Sequence, residues 1–157
     1  MTRIKICGIT RLEDALAASM AGADALGFNF SKSSPRSISP DTAREIIAEL
    51  PPFVTAAGVF VEHSPGEIDD ICRHCGIRVA QLHSDAYTAE QALAVSSAKV
   101  LRVFRPGPSF RIADVVEFSK QAGCNSFLFD AYSPAMAGGT GLTIESATAM
   151  ELFDGTR

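Results

Sequence analysis

The side chains able to do chemistry stand at the ends of apolar runs. Cys7 closes the run Arg3-Ile4-Lys5-Ile6-Cys7, and Gly8 turns the chain immediately after it. Asp130 closes the run over residues 126–130 in the same way. Between them, further runs end in Ser31-Lys32-Ser33-Ser34-Pro35-Arg36, in Glu62 and His63, in Gln81 and His83, and in Arg105. A thiol serves as base or nucleophile once deprotonated, a carboxyl as acid, and a guanidinium as a two-pronged clamp for carboxylate or phosphate. In parallel α/β proteins the strand C-termini meet at one end, so these groups are expected to share one site. Each also fits a plainer role. A free thiol near a strand end packs as a small hydrophobe, and an aspartate after a strand caps its own turn. Arg36 can be a surface residue held by an acid, while Gln81 and His83 can satisfy buried backbone.

Two other motifs invite a chemical reading. Gly138-Gly139-Thr140-Gly141 precedes a helical stretch, where free amides can hold an anion, but it lacks the lysine and spacing of a P-loop. It also suits a lid or a tight connection. Cys72-Arg73-His74-Cys75 has the spacing of a zinc or redox pair. Zinc needs two further ligands, and neither Cys7 nor Cys124 belongs to a second pair. A redox pair takes its reactive thiol from a helix N-terminus, whereas this one ends a helix just before Gly76. A structural role is expected.

The elements that must position these groups repeat as strand, loop, helix. Apolar runs at 3–7, 25–30, 55–61, 79–83, 99–105 and 126–130 read as strands covered on both faces. Helical stretches fall at 12–21, 40–50, 65–75, 88–97, 110–122 and 144–152. Ser39-Pro40 and Ser64-Pro65 each place a capping hydroxyl before a proline suited to the first helical turn. Thr10 with Glu13, and Ser64 with Glu67, have capping-box spacing. Gly22, Gly76 and Gly123 stand where helices should stop. Six βα units fill residues 1–157 as a single domain, with no linker between them. Periodicity alone leaves open the choice between a barrel and a doubly wound sheet.

The bulk properties narrow the class. The 157 residues carry a net charge of −4 with the two signs interspersed, which argues against nucleic acid as a partner. No apolar run approaches the ~20 residues of a membrane span. The N-terminus enters a strand directly, so no leader is expected. A cytoplasmic protein with reduced cysteines is the expectation.

Taken together, the motifs resemble phosphoribosylanthranilate isomerase. Lys5-x-Cys7-Gly8, Gly27-Phe28 leading to Ser34-Pro35-Arg36, Gly58-Val59-Phe60-Val61, Gln81-Leu82-His83, and Asp130 followed by Gly138-Gly139-Thr140-Gly141 occur in that family's order and spacing. The resemblance implies a TIM (β/α)8-barrel fold and an Amadori rearrangement of N-(5-phosphoribosyl)anthranilate in tryptophan biosynthesis, with no metal or organic cofactor. It implies Asp130 as the general acid that opens the ribose ring and Cys7 as the base that removes the C2 proton. Arg36 would meet the anthranilate carboxylate, and Gln81, His83, Gly138, Gly139 and Gly141 would line the substrate site. The partner is then a small phosphorylated aminoaldose, with neither nucleic acid nor membrane involved.

The sequence departs from the family in places. Leu142, Ile144, Glu145 and Ser146 stand where the family carries lysine and then phenylalanine-aspartate-tryptophan, and Ser84 replaces a glycine. Only six of eight units are present, so the expected fold is an incomplete barrel with its first and sixth strands as open edges. The missing ladders would remove on the order of ten hydrogen bonds of about 1 kcal/mol each, against a typical total stability of ~5–15 kcal/mol. The open edges offer a route to homo-oligomers. The competing expectation is an impaired barrel fragment, stable only through self-association or complementation.

Overall fold

The computed structural model describes residues 2–132. Six strands, β1 (Lys5–Cys7), β2 (Ala25–Asn29), β3 (Thr55–Phe60), β4 (Val79–Leu82), β5 (Lys99–Phe104) and β6 (Phe127–Phe129), form one sheet. Every pairing is parallel and the strand order is the sequence order. Helices α1 (Leu12–Met20), α2 (Pro40–Ala48), α3 (Pro65–Cys75), α4 (Ala89–Ala94) and α5 (Ile112–Ala122) make the crossovers. A doubly wound sheet would reverse its order part-way; this one does not, and that reading is excluded. Among the described strands β1 and β6 are the two edges. The stretch 144–152, and Gly138, Gly139 and Gly141, lie outside the described residues.

Strand alternation divides the sheet into two faces. One face carries Leu26 and Phe28 of β2, Phe60 of β3, and Ala80 and Leu82 of β4, all fully buried in a core with Ile46 and Ile68 from the helices and Ile77 from the connection into β4. On the other, register sets Lys5 and Cys7 beside Ala25 and Gly27, then Ala57 and Val59, then Val79 and Gln81. Ala57, Val59 and Gln81 are buried but stand apart from the helix-packed core. The helix-covered face supplies the stability and the other is free for chemistry.

Local signals explain most boundaries. Ser39 caps α2 by accepting from the Thr42 amide, and Ser64 and Glu67 form the expected capping box on α3. Gly76 and Gly123 end α3 and α5 in the left-handed conformation. The Thr10 box does not form. Arg11 is the N-cap of α1, extended and without a side-chain bond. The Gly8 and Ile9 amides both bond the Gly27 carbonyl, and Ile9 is buried, so the chain stays tied to the sheet past Thr10. Helix α4 is shorter than the expected 88–97. Asp69, buried on α3, takes the Ser96 and Ser97 amides at 2.9 Å each and both hydroxyls as well, which pulls the chain out of the helix. Burial pushes the Asp69 carboxyl up, but those bonds overcome it and hold it well below the usual carboxylate range.

Candidate active site

The first strand brings the thiol to the open face, and a glycine on its neighbour makes room for it. Cys7 pairs with Gly27, and a Cβ on Gly27 would stand 2.7 Å from the Cys7 Sγ and 3.0 Å from the Lys5 Nζ. Thiol and ammonium therefore lie side by side over the bare backbone of β2. Cys7 is exposed, unlike the sequence's other three cysteines. The alternative of a small buried hydrophobe does not hold for it.

Arg36 reaches the same end from the loop after β2. Its Nη1 donates to the Cys7 carbonyl at 3.0 Å. The chain between Cys7 and α1 leaves no space for a side chain, because a Cβ on Gly8 would meet the Arg36 Cδ at 2.6 Å. Gly8 also has φ +88, a conformation that favours glycine. The guanidinium is exposed and held over the turn that follows the thiol.

Opposite, Asp130 follows β6, with its amide bonded to the Phe104 carbonyl. Its Oδ1 accepts from the Ala131 amide at 2.9 Å, the turn-capping role anticipated as its plainer reading. The second oxygen, Oδ2, stands 3.3 Å from the Nε2 of His83. Gln81, two residues earlier on β4 and 3 % exposed, has its amide nitrogen 2.9 Å from the His83 Nδ1. Burial is the main cause that lowers the His83 pKa, opposed by Asp130 and reinforced by Arg105 and Lys5.

The remaining candidates take other roles. Glu62 binds the Lys32 amide at 2.8 Å and so tethers the loop after β2. His63 packs edge-on to Phe60, which belongs to the helix-covered face. Arg105 pairs with Asp85. Cys72 and Cys75 are buried in the helix-packed core, and burial pushes their thiols up to about 12 and about 11. That is the structural role expected of the pair. Among the described residues no cluster of three or more candidate ligands could hold a metal ion.

Sequence reasoning missed Arg102. It sits on the helix-covered face at 4 % exposure, its guanidinium 4.9 Å from the Phe104 ring centre and 5.3 Å from that of Phe118. An arginine inside an apolar run, two residues before Phe104, was the available signal.

Comparisons with known proteins identify the family. Residues 4–152 match the family model described as N-(5'phosphoribosyl)anthranilate (PRA) isomerase. The chain belongs to this family. It is 66% identical over 157 residues to the N-(5'-phosphoribosyl)anthranilate isomerase of Chlorobaculum parvum, covering 100% of this chain and 71% of that protein. The phosphoribosyl anthranilate isomerase of Thermus thermophilus superposes with a TM-score of 0.85 at 36% identity, over 99% of this chain and 74% of its own. A phosphoribosyl anthranilate isomerase solved in complex with reduced 1-(o-carboxyphenylamino)-1-deoxyribulose 5-phosphate matches at 0.73 and 36% identity, over 85% of this chain and 66% of that one. The sheet of six parallel strands is thus an incomplete (β/α)8 barrel of the PRA isomerase type, and its open face corresponds to a barrel interior.

Proposed function

We propose that this chain is the isomerase that converts N-(5-phosphoribosyl)anthranilate to 1-(2-carboxyphenylamino)-1-deoxyribulose 5-phosphate in tryptophan biosynthesis, with Cys7 and Asp130 as base and acid. The observation that carries the assignment is the presence of a thiol, a carboxyl and a guanidinium at the C-terminal end of one parallel sheet. Asp130, protonated, gives its proton to the ribose ring oxygen. The bond from C1 to that oxygen breaks, and the anilino nitrogen lone pair forms the Schiff base. The Cys7 thiolate then takes the proton from C2, and the released electron pair neutralises the iminium as an enolamine. Tautomerisation moves a proton to C1 and leaves the ketone at C2. Lys5, beside the Sγ, supplies positive charge where the thiolate stands. Arg36 offers its fork to the anthranilate carboxylate. Gln81, His83, Gly138, Gly139 and Gly141 complete the substrate site in this reading.

Residues 1–157 act as one domain in the cytoplasm. No helix among the described residues is long and apolar enough to cross a membrane. Self-association through the edges at β1 and β6 fits the exposure of Ile4, just before β1, and Ile6 within it, at 51% and 43%. The assignment is tested by the kinetics of Cys7→Ala and Arg36→Ala. Loss of the base should cut kcat by about 10²- to 10⁴-fold with little change in KM, whereas loss of the fork should raise KM. Unchanged turnover in Cys7→Ala would remove the thiol from the mechanism.

A further inference from the structure

We propose that Gln81 fixes the tautomer of His83, and that His83 in that tautomer is a positioning residue for Asp130, giving its Nε2–H to the carboxylate that forms as the acid loses its proton. The inference rests on the reading of Asp130 as the general acid. A carboxamide nitrogen only donates, so the 2.9 Å contact from Gln81 makes the His83 Nδ1 an acceptor and leaves the ring proton on Nε2. That proton faces the Asp130 Oδ2 at 3.3 Å, and Nε2 has no formed hydrogen bond among the described residues. Catalytic hydrogen bonds that are long in a free enzyme tighten as charge develops.

The arrangement answers a specific difficulty. An imidazolium beside Asp130 would hold the carboxyl ionised and spoil it as an acid. His83 can gain a second proton only at Nδ1, where Gln81 already donates. Burial works in the same direction, as does the positive charge of Arg105 and Lys5; Asp130 itself is the opposing group. His83 therefore stays neutral below the ordinary histidine range. It stabilises the product carboxylate without drawing the proton off beforehand. Gln81 is itself 3 % exposed, and among the described residues its Oε1 has no partner. Among the described residues its one side-chain bond is the one to His83, as expected of a group placed there for the ring.

Nitrogen-15 NMR of the histidine-labelled chain, with His83→Gln to assign the signal, reads the tautomer directly. Neutral His83 protonated at Nε2 at pH 7, with a titration midpoint below the free-histidine value of ~6.5, is the expected result. Protonation at Nδ1, or an imidazolium at pH 7, would overturn the proposal. Kinetics supply a second readout. Gln81→Glu accepts from Nδ1–H and favours the imidazolium, so kcat should fall about 10²-fold while KM changes little. His83→Gln, a neutral donor, should recover most of the turnover that His83→Ala loses. Equal loss in both His83 variants would count against a donor role. Full turnover in Asp130→Asn would instead sink the reading of Asp130 as the acid, whatever the tautomer.

Discussion

The two faces of the sheet are built from the same strands and obey opposite rules. On β2, Leu26 and Phe28 point into the helical layer and are fully buried, while Gly27 between them is bare and roofed by a thiol and an ammonium. On β4, Ala80 and Leu82 pack in the core, while Gln81 stands on the other side and bonds a histidine. Leu26, Phe28, Phe60 and Leu82 are large and apolar because burial of their surface drives folding. On the open face Cys7, Gly27 and Gln81 are small or polar, which leaves room for a substrate and groups to act on it. Stability and chemistry alternate residue by residue along one strand, so a single-residue step in sequence should change the kind of damage a substitution does.

Phe28→Ala should have the largest effect on stability. Removing a fully buried ring should cost about 3–5 kcal/mol, read by denaturant melting, with the thiol and carboxyl untouched. One residue away, Gly27→Ala tests the opposite face. Its Cβ would stand inside contact distance of the Cys7 sulfur, so the thiol must move. A displacement of the order of 1 Å is enough for about a 10²-fold loss in turnover, with melting close to wild type. If Gly27→Ala melts early and turns over normally, the division of labour between the faces fails.

Smaller effects are expected away from both faces. Asp69→Asn should destabilise the chain by about 2–3 kcal/mol at neutral pH, through charge-assisted bonds to Ser96 and Ser97. Because the folded carboxyl is held low, that stabilisation is present above the ordinary aspartate value of ~3.9 and is lost as pH falls through the depressed one. The gap between wild type and Asp69→Asn should close in acid. An unchanged gap at low pH would mean the bonds do not favour the ionised form. Ser64→Ala, at the capping box of α3, should cost about 1 kcal/mol, with kcat unchanged.

Much of this was legible in the sequence, for physical reasons that can be named. Short apolar runs ending in polar groups located all six strands to within about two residues, the usual uncertainty of an element boundary. Ser-Pro pairs located α2 and α3. Cys7 and Asp130 stood out because each stands at the end of a strand. Contacts distant in sequence were not legible. Arg3 and the Ile4 amide bind the Asp24 carboxylate, so β1 begins at Lys5 rather than at residue 3. Asp69 shortens α4 from another helix. The capping box of Thr88 and Gln91 escaped notice because glutamine replaces the usual acid. The Gln81–His83–Asp130 alignment needs the sheet to carry β4 and β6 into register, and no local pattern encodes that.

The most direct test of the account is to measure kcat and melting temperature on the same samples of wild type and Asp130→Asn, with N-(5-phosphoribosyl)anthranilate as substrate. The account predicts that kcat falls about 10²- to 10⁴-fold at an unchanged melting temperature, because the carboxyl faces the open side and, among the described residues, accepts its hydrogen bond from the amide of its own turn. Turnover at the wild-type rate, or a loss of turnover that tracks a loss of folding, would contradict it.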